Sequence, residues 1–175
     1  MKGGDVNRPL RTSAVLACIL LAAGCASLHG VRSPRSVESP ELVARVLDDF
    51  HDAAAKADEA RYFGHFAPEG VFLGTDATER WTVEEFRAYA RPYFSQGRGW
   101  TYTVRTREVD VLPGDGSVAF FDEILWNEKW GVCRGSGVAR IVEGEWKICQ
   151  YNLSVPIPND LLPEVAERIK AMPEK

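Results

Sequence analysis

The pattern of apolar positions has two periods along this chain, helical up to about residue 97 and twofold from residue 100 onward. Apolar residues between Val43 and Ala57 recur at helical spacing, and Ser39 before Pro40 is typical of a helix start. This pattern predicts one long amphipathic helix. Further helices are predicted at residues 59–66, after a Thr82–Glu85 capping box, and within residues 159–175.

Twofold alternation in the second half predicts four long strands joined by tight turns, the last turn at Glu143–Gly144. A brief strand is also predicted at residues 71–74. Hairpin-linked strands form an antiparallel meander, and helices that precede such a sheet must cover it. The sequence therefore predicts an α+β fold. The four long strands are predicted at residues 100–112, 118–126, 131–142 and 146–155.

The first 24 residues form a separate segment with a basic start and an apolar run from Ala14 to Ala23. Ten residues rise about 15 Å as a helix, which is too short to cross a bilayer. This arrangement is typical of an export signal. The ending Leu-Ala-Ala-Gly-Cys resembles the lipobox of bacterial lipoproteins, which implies removal of residues 1–24 and lipidation of Cys25. The alternative is an ordinary secretory signal with an incidental cysteine.

Residues 25–39 are polar and aperiodic, as expected of a flexible tether between a lipid and a domain. The lipobox resemblance implies a location in the bacterial cell envelope, anchored and facing the periplasm, with the outer membrane as one possible site. Residues 1–24 hold three of the 21 Lys and Arg residues and one of the 25 Asp and Glu residues, so their removal takes the formal net charge from −4 to −6. An acidic surface argues against binding to nucleic acid.

The cysteine and histidine content argues against a disulfide, a metal site or a cofactor. Cross-strand partners around the Glu143–Gly144 turn should have residue numbers that sum to 287 or 288, which keeps Cys133 and Cys149 too far apart to bridge. Two cysteines and three scattered histidines match no metal-ligand spacing. We therefore expect both cysteines to be free and expect no metal or cofactor.

Four segments carry a family resemblance. They are Gly74-Thr75-Asp76 with Glu79-Arg80-Trp81, Phe121-Asp122-Glu123, Arg134-Gly135-Ser136-Gly137, and the strand Gly144 to Ser154. With the predicted element order, they make residues 40–158 similar to the SnoaL-like branch of the nuclear transport factor 2-like superfamily. The resemblance implies a cone-shaped roll with a ligand cavity and a homodimer formed through the convex sheet face. That scaffold supports isomerases, dehydratases, cyclases and plain binding domains, so it does not specify an activity.

The last strand supplies the first candidate binding residues. Trp146, Ile148, Gln150 and Asn152 alternate on one face, from apolar to amide, and we expect that face to line the cavity. Related final strands often carry histidines where this chain has Gln150 and Asn152, and an amide positions a ligand without transferring a proton. The alternative is that both amides bond backbone or the partner subunit.

Asp122, Glu123 and Arg134 form the second candidate set. A short turn at residues 127–129 places Arg134 opposite Asp122 or Glu123, depending on the register. Such a pair inside the cone would anchor a polar ligand, and Asp122 or Glu123 is the candidate acid–base catalyst. The alternative is a structural ion pair at the sheet edge or the dimer interface. The register also decides whether Arg134 shares a face with Gln150.

Aromatic residues and histidines complete the candidates. Trp81 and Tyr93 are predicted ligand-binding residues, with core packing as the alternative for each. His51 lies one position off the apolar stripe of the first helix, which favours a core or interface role over catalysis. We therefore expect a lipid-anchored module that binds a small molecule without catalysis. The alternative is an isomerase, dehydratase or cyclase that uses a carboxylate in the cavity.

Overall fold

The computed structural model describes residues 39–173. The predicted signal peptide, Cys25 and residues 25–38 of the predicted tether lie outside the described residues. The helices are α1 (Pro40–Ala55), α2 (Glu59–Gly64), α3 (Val83–Phe94) and α4 (Leu162–Lys170). The strands are β1 (Phe66–Leu73), β2 (Arg80–Thr82), β3 (Thr103–Val111), β4 (Val118–Asn127), β5 (Gly131–Val142) and β6 (Glu145–Ser154).

The six strands form one curved, open sheet in the order β2-β1-β6-β5-β4-β3. Strands β3 to β6 are the predicted antiparallel meander, and β1 pairs with β6 in parallel. Helix α1 contacts β3 and β6 across the inner face of the sheet. The α+β fold is therefore confirmed, with the addition of the short strand β2 and a β1 that is longer than predicted.

Local sequence explains where the helices begin. The Ser39 hydroxyl accepts a hydrogen bond from the backbone N–H of Glu41, which caps α1. The predicted capping box of Thr82 and Glu85 begins α3. Helix α4 lies within the predicted residues 159–175 and begins after Leu161 without a side-chain cap. No described helix is long and apolar enough to cross a membrane.

The β5–β6 hairpin has the predicted register. Glu143 and Gly144 both adopt positive φ, at 52° and 86°, as a two-residue hairpin turn requires. Cross-strand partners sum to 287 near the turn and to 288 beyond a β-bulge at Cys149. Cys133 and Cys149 are both free thiols, which confirms the expected absence of a bond between them. Cys133 is buried and Cys149 is half-buried.

The β4–β5 hairpin differs from the prediction. Its loop has three residues rather than one or two, because the Asn127 side chain accepts hydrogen bonds from the backbone of Lys129 and Trp130, both at 3.0 Å, and Gly131 adopts a φ of 74°. Arg134 consequently lies opposite Ile124, and the predicted pairing with Asp122 or Glu123 is wrong. The longer loop shifts the whole strand register.

Candidate functional site

The bulge at Cys149 decides which side chains of β6 face helix α1. Trp146 and Ile148 lie on the inner face before the bulge, whereas Tyr151 and Leu153 take that face beyond it. The predicted inner face is therefore correct for Trp146 and Ile148 only. Gln150 and Asn152 lie on the outer face of the sheet, because one extra residue reverses the alternation.

A cavity of about 270 Å³ opens at the end of the sheet where the β4–β5 turn lies. Aromatic side chains from five segments of the chain dominate its wall, and Glu79 and Lys129 add charge. Tyr89 and Trp130 are 48% and 53% exposed, so aromatic surface is left in contact with solvent at this opening. We call this space the aromatic cavity. Its main aromatic residues are Trp81, Phe86, Tyr89, Trp100, Tyr102 and Trp130.

The aromatic cavity adjoins a narrow inner pocket of about 20 Å³, room for one water molecule, which we call the floor. Phe72, Trp100, Tyr102 and Leu153 line both spaces, so the floor lies directly against the aromatic cavity. His51 of α1 lines the floor. The sequence pattern placed His51 beside the core rather than at a cavity, yet the curvature of the sheet leaves this space next to α1.

Glu123 of β4 lies behind His51 and is completely buried. Its Oε2 accepts hydrogen bonds from His51 Nε2 and from the Tyr151 hydroxyl, each at 2.9 Å. Its Oε1 accepts a hydrogen bond from Arg107 Nε at 2.7 Å. A buried carboxylate with a cation and two further donors has its charge compensated and both oxygen atoms satisfied. We call Glu123, His51, Tyr151 and Arg107 the buried cluster.

Arg107 connects the buried cluster back to α1. Its Nη1 donates to the carbonyl oxygen of Ala44 at 2.9 Å and to Asp48 Oδ1 at 2.7 Å. Its Nη2 is buried with no partner among the described residues. Because Ala44, Asp48 and His51 belong to the same helix, Arg107 holds Glu123 at a defined position relative to His51.

The electrostatics of the buried cluster determine where its protons lie. Burial alone would raise the pKa of Glu123, but the hydrogen bond from His51 and the charges of His51 and Arg107 hold that pKa below its ordinary value. Burial and the neighbouring Glu123 raise the pKa of Tyr151 well above its ordinary value. Glu123 is therefore a carboxylate near neutral pH, and the Tyr151 hydroxyl is its donor.

An ionised Glu123 fixes the tautomer of His51. A carboxylate only accepts hydrogen bonds, so His51 Nε2, which faces it, must carry a proton. In the neutral imidazole the lone pair then lies on Nδ1. The His51 side chain makes no other hydrogen bond within residues 39–173, so Nδ1 is unpaired there.

Gly135 makes room for the buried cluster. It lies directly opposite Glu123 on β5. A Cβ atom at Gly135 would lie 3.0 Å from Glu123 Oε2 and would overlap the hydroxyl of Tyr151. Gly135, in the Arg-Gly-Ser-Gly segment noted in the sequence, is therefore needed because any larger side chain would displace the buried cluster.

The structure separates the other predicted site residues. Arg134 and Asp122 are exposed on the outer face, away from the aromatic cavity. Tyr93 lies beside Tyr89, with ring centroids 5.7 Å apart and the rings tilted by 46°, and does not line the cavity. Trp81 does line it. Of the two candidate catalytic carboxylates, Glu123 is on the inner face but lies behind His51, so neither Asp122 nor Glu123 lines the cavity or its floor.

Trp146 lies at the opposite end of α1, in an open groove of about 550 Å³. His65 lines the same groove, and its Nε2 lies 2.9 Å from Asp49 Oδ2. Burial lowers the pKa of His65 despite the charge of Asp49. We call this space the distal groove. Its other lining side chains include Leu42, Val46, Arg61 and Lys147.

Sequence reasoning missed Arg107, Tyr102 and Tyr151 as site residues. Arg107 comes from β3, whose alternation is mostly polar and gave no sign of an inward-facing charge. A usable signal did exist for His51, since a histidine beside an apolar stripe needs a buried partner. Among the described residues no group of three or more His, Cys, Asp or Glu side chains is placed to hold a metal ion.

Similar proteins share this fold. A nuclear transport factor 2-like protein of unknown function from Pseudomonas putida has 12% identity and a TM-score of 0.56, over 69% of this chain and 89% of that chain. A domain of unknown function with a cystatin-like fold from Nostoc punctiforme has 11% identity and a TM-score of 0.58, over 75% of this chain and 86% of that one.

A candidate scytalone dehydratase from Novosphingobium aromaticivorans has 10% identity and a TM-score of 0.56, over 67% of this chain and 83% of that chain. Identities this low show a shared fold and not a shared activity. No curated protein matches the sequence. The model of the SnoaL-like domain family matches residues 43–158, which include every strand and the buried cluster, and this chain therefore belongs to the SnoaL-like domain family.

Proposed function

We propose that the protein binds a small, mainly apolar molecule in the aromatic cavity. The observation that carries this proposal is the cavity itself, a space of about 270 Å³ walled by aromatic rings. Ligand sites are typically concave and apolar with a few polar groups, and this volume is just below their usual range of about 300–1,000 Å³, which suits a small ligand. Trp81 is the predicted ligand-binding residue that this proposal retains as a direct contact.

Exposed aromatic side chains at the opening support the proposal. Tyr89 stacks on Trp81 with ring centroids 4.8 Å apart, and Trp130 lies on the other side of the opening. Folding alone does not require such large side chains to remain in solvent, and exposed apolar surface beside a cavity is a mark of a binding site. Aromatic pairs gain about 0.5–1.5 kcal/mol beyond the burial of area, so a flat ligand would gain most here.

Titration with 2-naphthol, a small flat fluorescent probe, tests this function. We expect saturable binding to the wild-type protein and about tenfold weaker binding to Tyr89→Ala, since the lost contact is worth about 1.4 kcal/mol. Leu112→Ala is the control, because Leu112 is comparably exposed at 44% but lies between β3 and β4 and does not line the cavity. Equal affinity of all three proteins, or no saturable binding, would contradict the proposal.

We also propose that the domain works at a membrane as a homodimer. The lipobox-like sequence before Cys25 supports a lipid anchor in the cell envelope. Exposed Phe120 and Val132 on the outer sheet face support a dimer through that face. Expression in a bacterium should place the wild-type chain in the membrane fraction and Cys25→Ser outside it. Phe120→Glu should sediment as a monomer if the outer face is the interface.

A second candidate function is acid–base catalysis in the same cavity. The specific observation in its favour is that His51 lines the floor while hydrogen-bonded to a buried carboxylate. The carboxylates Asp122 and Glu123, which the sequence suggested as catalysts, would act here only indirectly or not at all. A histidine is thus better supported than a carboxylate as the group that exchanges protons with a ligand.

A further inference from the structure

We infer that His51 is a proton acceptor at the floor of the aromatic cavity, acting on a compact, flat ligand that presents a weakly acidic C–H or O–H edge. This inference rests on the proposed binding function, because it needs a molecule in the cavity. It goes further by assigning a catalytic residue and a ligand chemistry.

The first argument is the orientation of the imidazole. Glu123 is ionised and accepts from His51 Nε2 at 2.9 Å, so the proton is held on Nε2 and the lone pair on Nδ1. A general base needs an available lone pair on a group that lines the site. His51 satisfies both conditions among the described residues, since it lines the floor and has no second hydrogen-bond partner.

The second argument is the stabilisation of the product of proton transfer. When His51 gains a proton it becomes a cation in contact with a carboxylate that no solvent reaches. The Glu123 carboxylate then lies 2.9 Å from the imidazolium as its counter-charge, and Arg107 pairs with the other oxygen of Glu123 at 2.7 Å. Glu123 and Arg107 are positioning residues, because neither lines the cavity.

The third argument is shape. The floor holds only about 20 Å³, whereas the aromatic cavity that adjoins it holds about 270 Å³. A ligand can therefore place only a thin edge beside His51 while its body lies among the aromatic rings. This selects flat molecules whose acidic group is at an edge, and it excludes bulky or branched groups at the reacting position.

Kemp elimination of 5-nitrobenzisoxazole provides a direct test, because this probe is flat and reacts by proton removal alone. His51 Nδ1 would take the proton from the C3 carbon, and the electron pair of that C–H bond forms the nitrile. The N–O bond breaks and leaves its electron pair on oxygen as a coloured phenolate. His51 then releases the proton to water, so no other reactant is needed.

We expect the wild-type protein to accelerate this reaction and His51→Gln to lower kcat/KM about a hundredfold, the usual contribution of a positioned base. Glutamine retains a donor to Glu123 but has no basic nitrogen. His65→Gln is the matched control, because it removes the other carboxylate-paired histidine from the distal groove. It should leave the rate within about twofold of wild type.

A second measurement is independent of turnover. Long-range proton–nitrogen correlation spectra should show His51 Nε2 protonated and Nδ1 unprotonated in the neutral form. Glu123 of β4 and Tyr151 of β6 face His51 and influence its protonation state. Arg107 of β3 and Asp48 of α1 lie beyond Glu123. Tyr62 and Tyr102 line the same floor. Glu123→Gln should allow both tautomers to appear.

The outcomes separate this inference from the proposed function. If 2-naphthol binds but the elimination shows no rate above buffer, or if His51→Gln reacts as fast as wild type, His51 is not a base and the binding function stands. A proton on Nδ1 in the neutral form would overturn the inference as well. If neither probe engages the cavity, both proposals fail.

Discussion

The buried cluster and the distal groove each contain a histidine whose Nε2 lies 2.9 Å from a carboxylate oxygen. The two pairs have the same length and differ in their surroundings. Glu123 is completely buried, whereas the side chain of Asp49 is 45% exposed and also pairs with Arg61 at 3.1 Å. The N–O distance alone therefore does not distinguish a buried pair that fixes a histidine tautomer from a solvated pair that contributes little to stability.

The two carboxylates differ in their access to water. Asp49 keeps part of its hydration, so its partners compete with solvent and each ion pair is worth about 0–1 kcal/mol. Glu123 has no solvent and depends on three protein donors from three elements. Removing such a carboxylate leaves its partners unsatisfied, and this contrast is the basis of the predictions below.

The largest expected effect is the loss of the buried carboxylate. Glu123→Ala leaves the Arg107 guanidinium, 10% exposed, without its buried counter-charge. We expect the free energy of unfolding to fall by about 3–5 kcal/mol. Asp49→Ala, measured in parallel by urea denaturation, should lower it by no more than about 1 kcal/mol. Equal losses in the two variants would remove the distinction between the two pairs.

The fold was largely predictable from the sequence, and the site was not. Helical periodicity in α1, the Thr82–Glu85 capping box and the two-residue turn at Glu143–Gly144 are local signals, and each was confirmed. The site depends on register, which single residues change. The bulge at Cys149 moved Gln150 outward, and the three-residue loop after Asn127 separated Arg134 from Glu123.

The sequence also did not show which buried polar side chains would contact each other. His51 and Arg107 are 56 positions apart in the numbering and meet only through Glu123, so no local pattern links them. From sequence alone, a charged residue on β3 is predicted to face solvent, because the sequence does not show that the sheet curves around α1. The missing information was therefore three-dimensional: which polar side chains the curvature brings to the inner face.

An intermediate effect is expected from filling the space beside the buried cluster. Gly135→Ala would force the Tyr151 hydroxyl away from Glu123 and should destabilise the protein by about 1–3 kcal/mol. Gly64→Ala is the control, since a Cβ there meets nothing within 4 Å and should change stability little. Adding Tyr151→Phe to Gly135→Ala should recover part of the loss. No recovery would mean that the hydroxyl is not what the glycine accommodates.

The smallest effect is a difference in the pH dependence of stability. The pKa of His65 is lowered in the folded protein from 6.5, so the folded state favours neutral His65. Its contribution is present above pH 6.5 and is lost as the pH falls through the lower folded-state value. His65→Gln should flatten the stability profile in that window, as measured by urea denaturation at successive pH values.

Glu123 affects the pH dependence of stability in a more acidic range than His65 does. Its folded-state pKa is below the ordinary 4.5, so its contribution is present above pH 4.5 and is lost as the pH falls through the folded-state value. Glu123→Gln should flatten the profile below pH 4.5 and leave the His65 window in place. If both variants changed the same window, the two pairs would not be independent.

The bulge at Cys149 has a consequence for how this cavity could change its chemistry. If β6 straightened at this bulge with its sequence unchanged, alternation would continue unbroken beyond Ile148, and Gln150 and Asn152 would replace Tyr151 and Leu153 on the inner face. A shift of one residue in strand register would thus exchange a phenol for a carboxamide beside Glu123 while every side chain kept its identity. Within one strand, the chain carries the side chains of two alternative cavity floors.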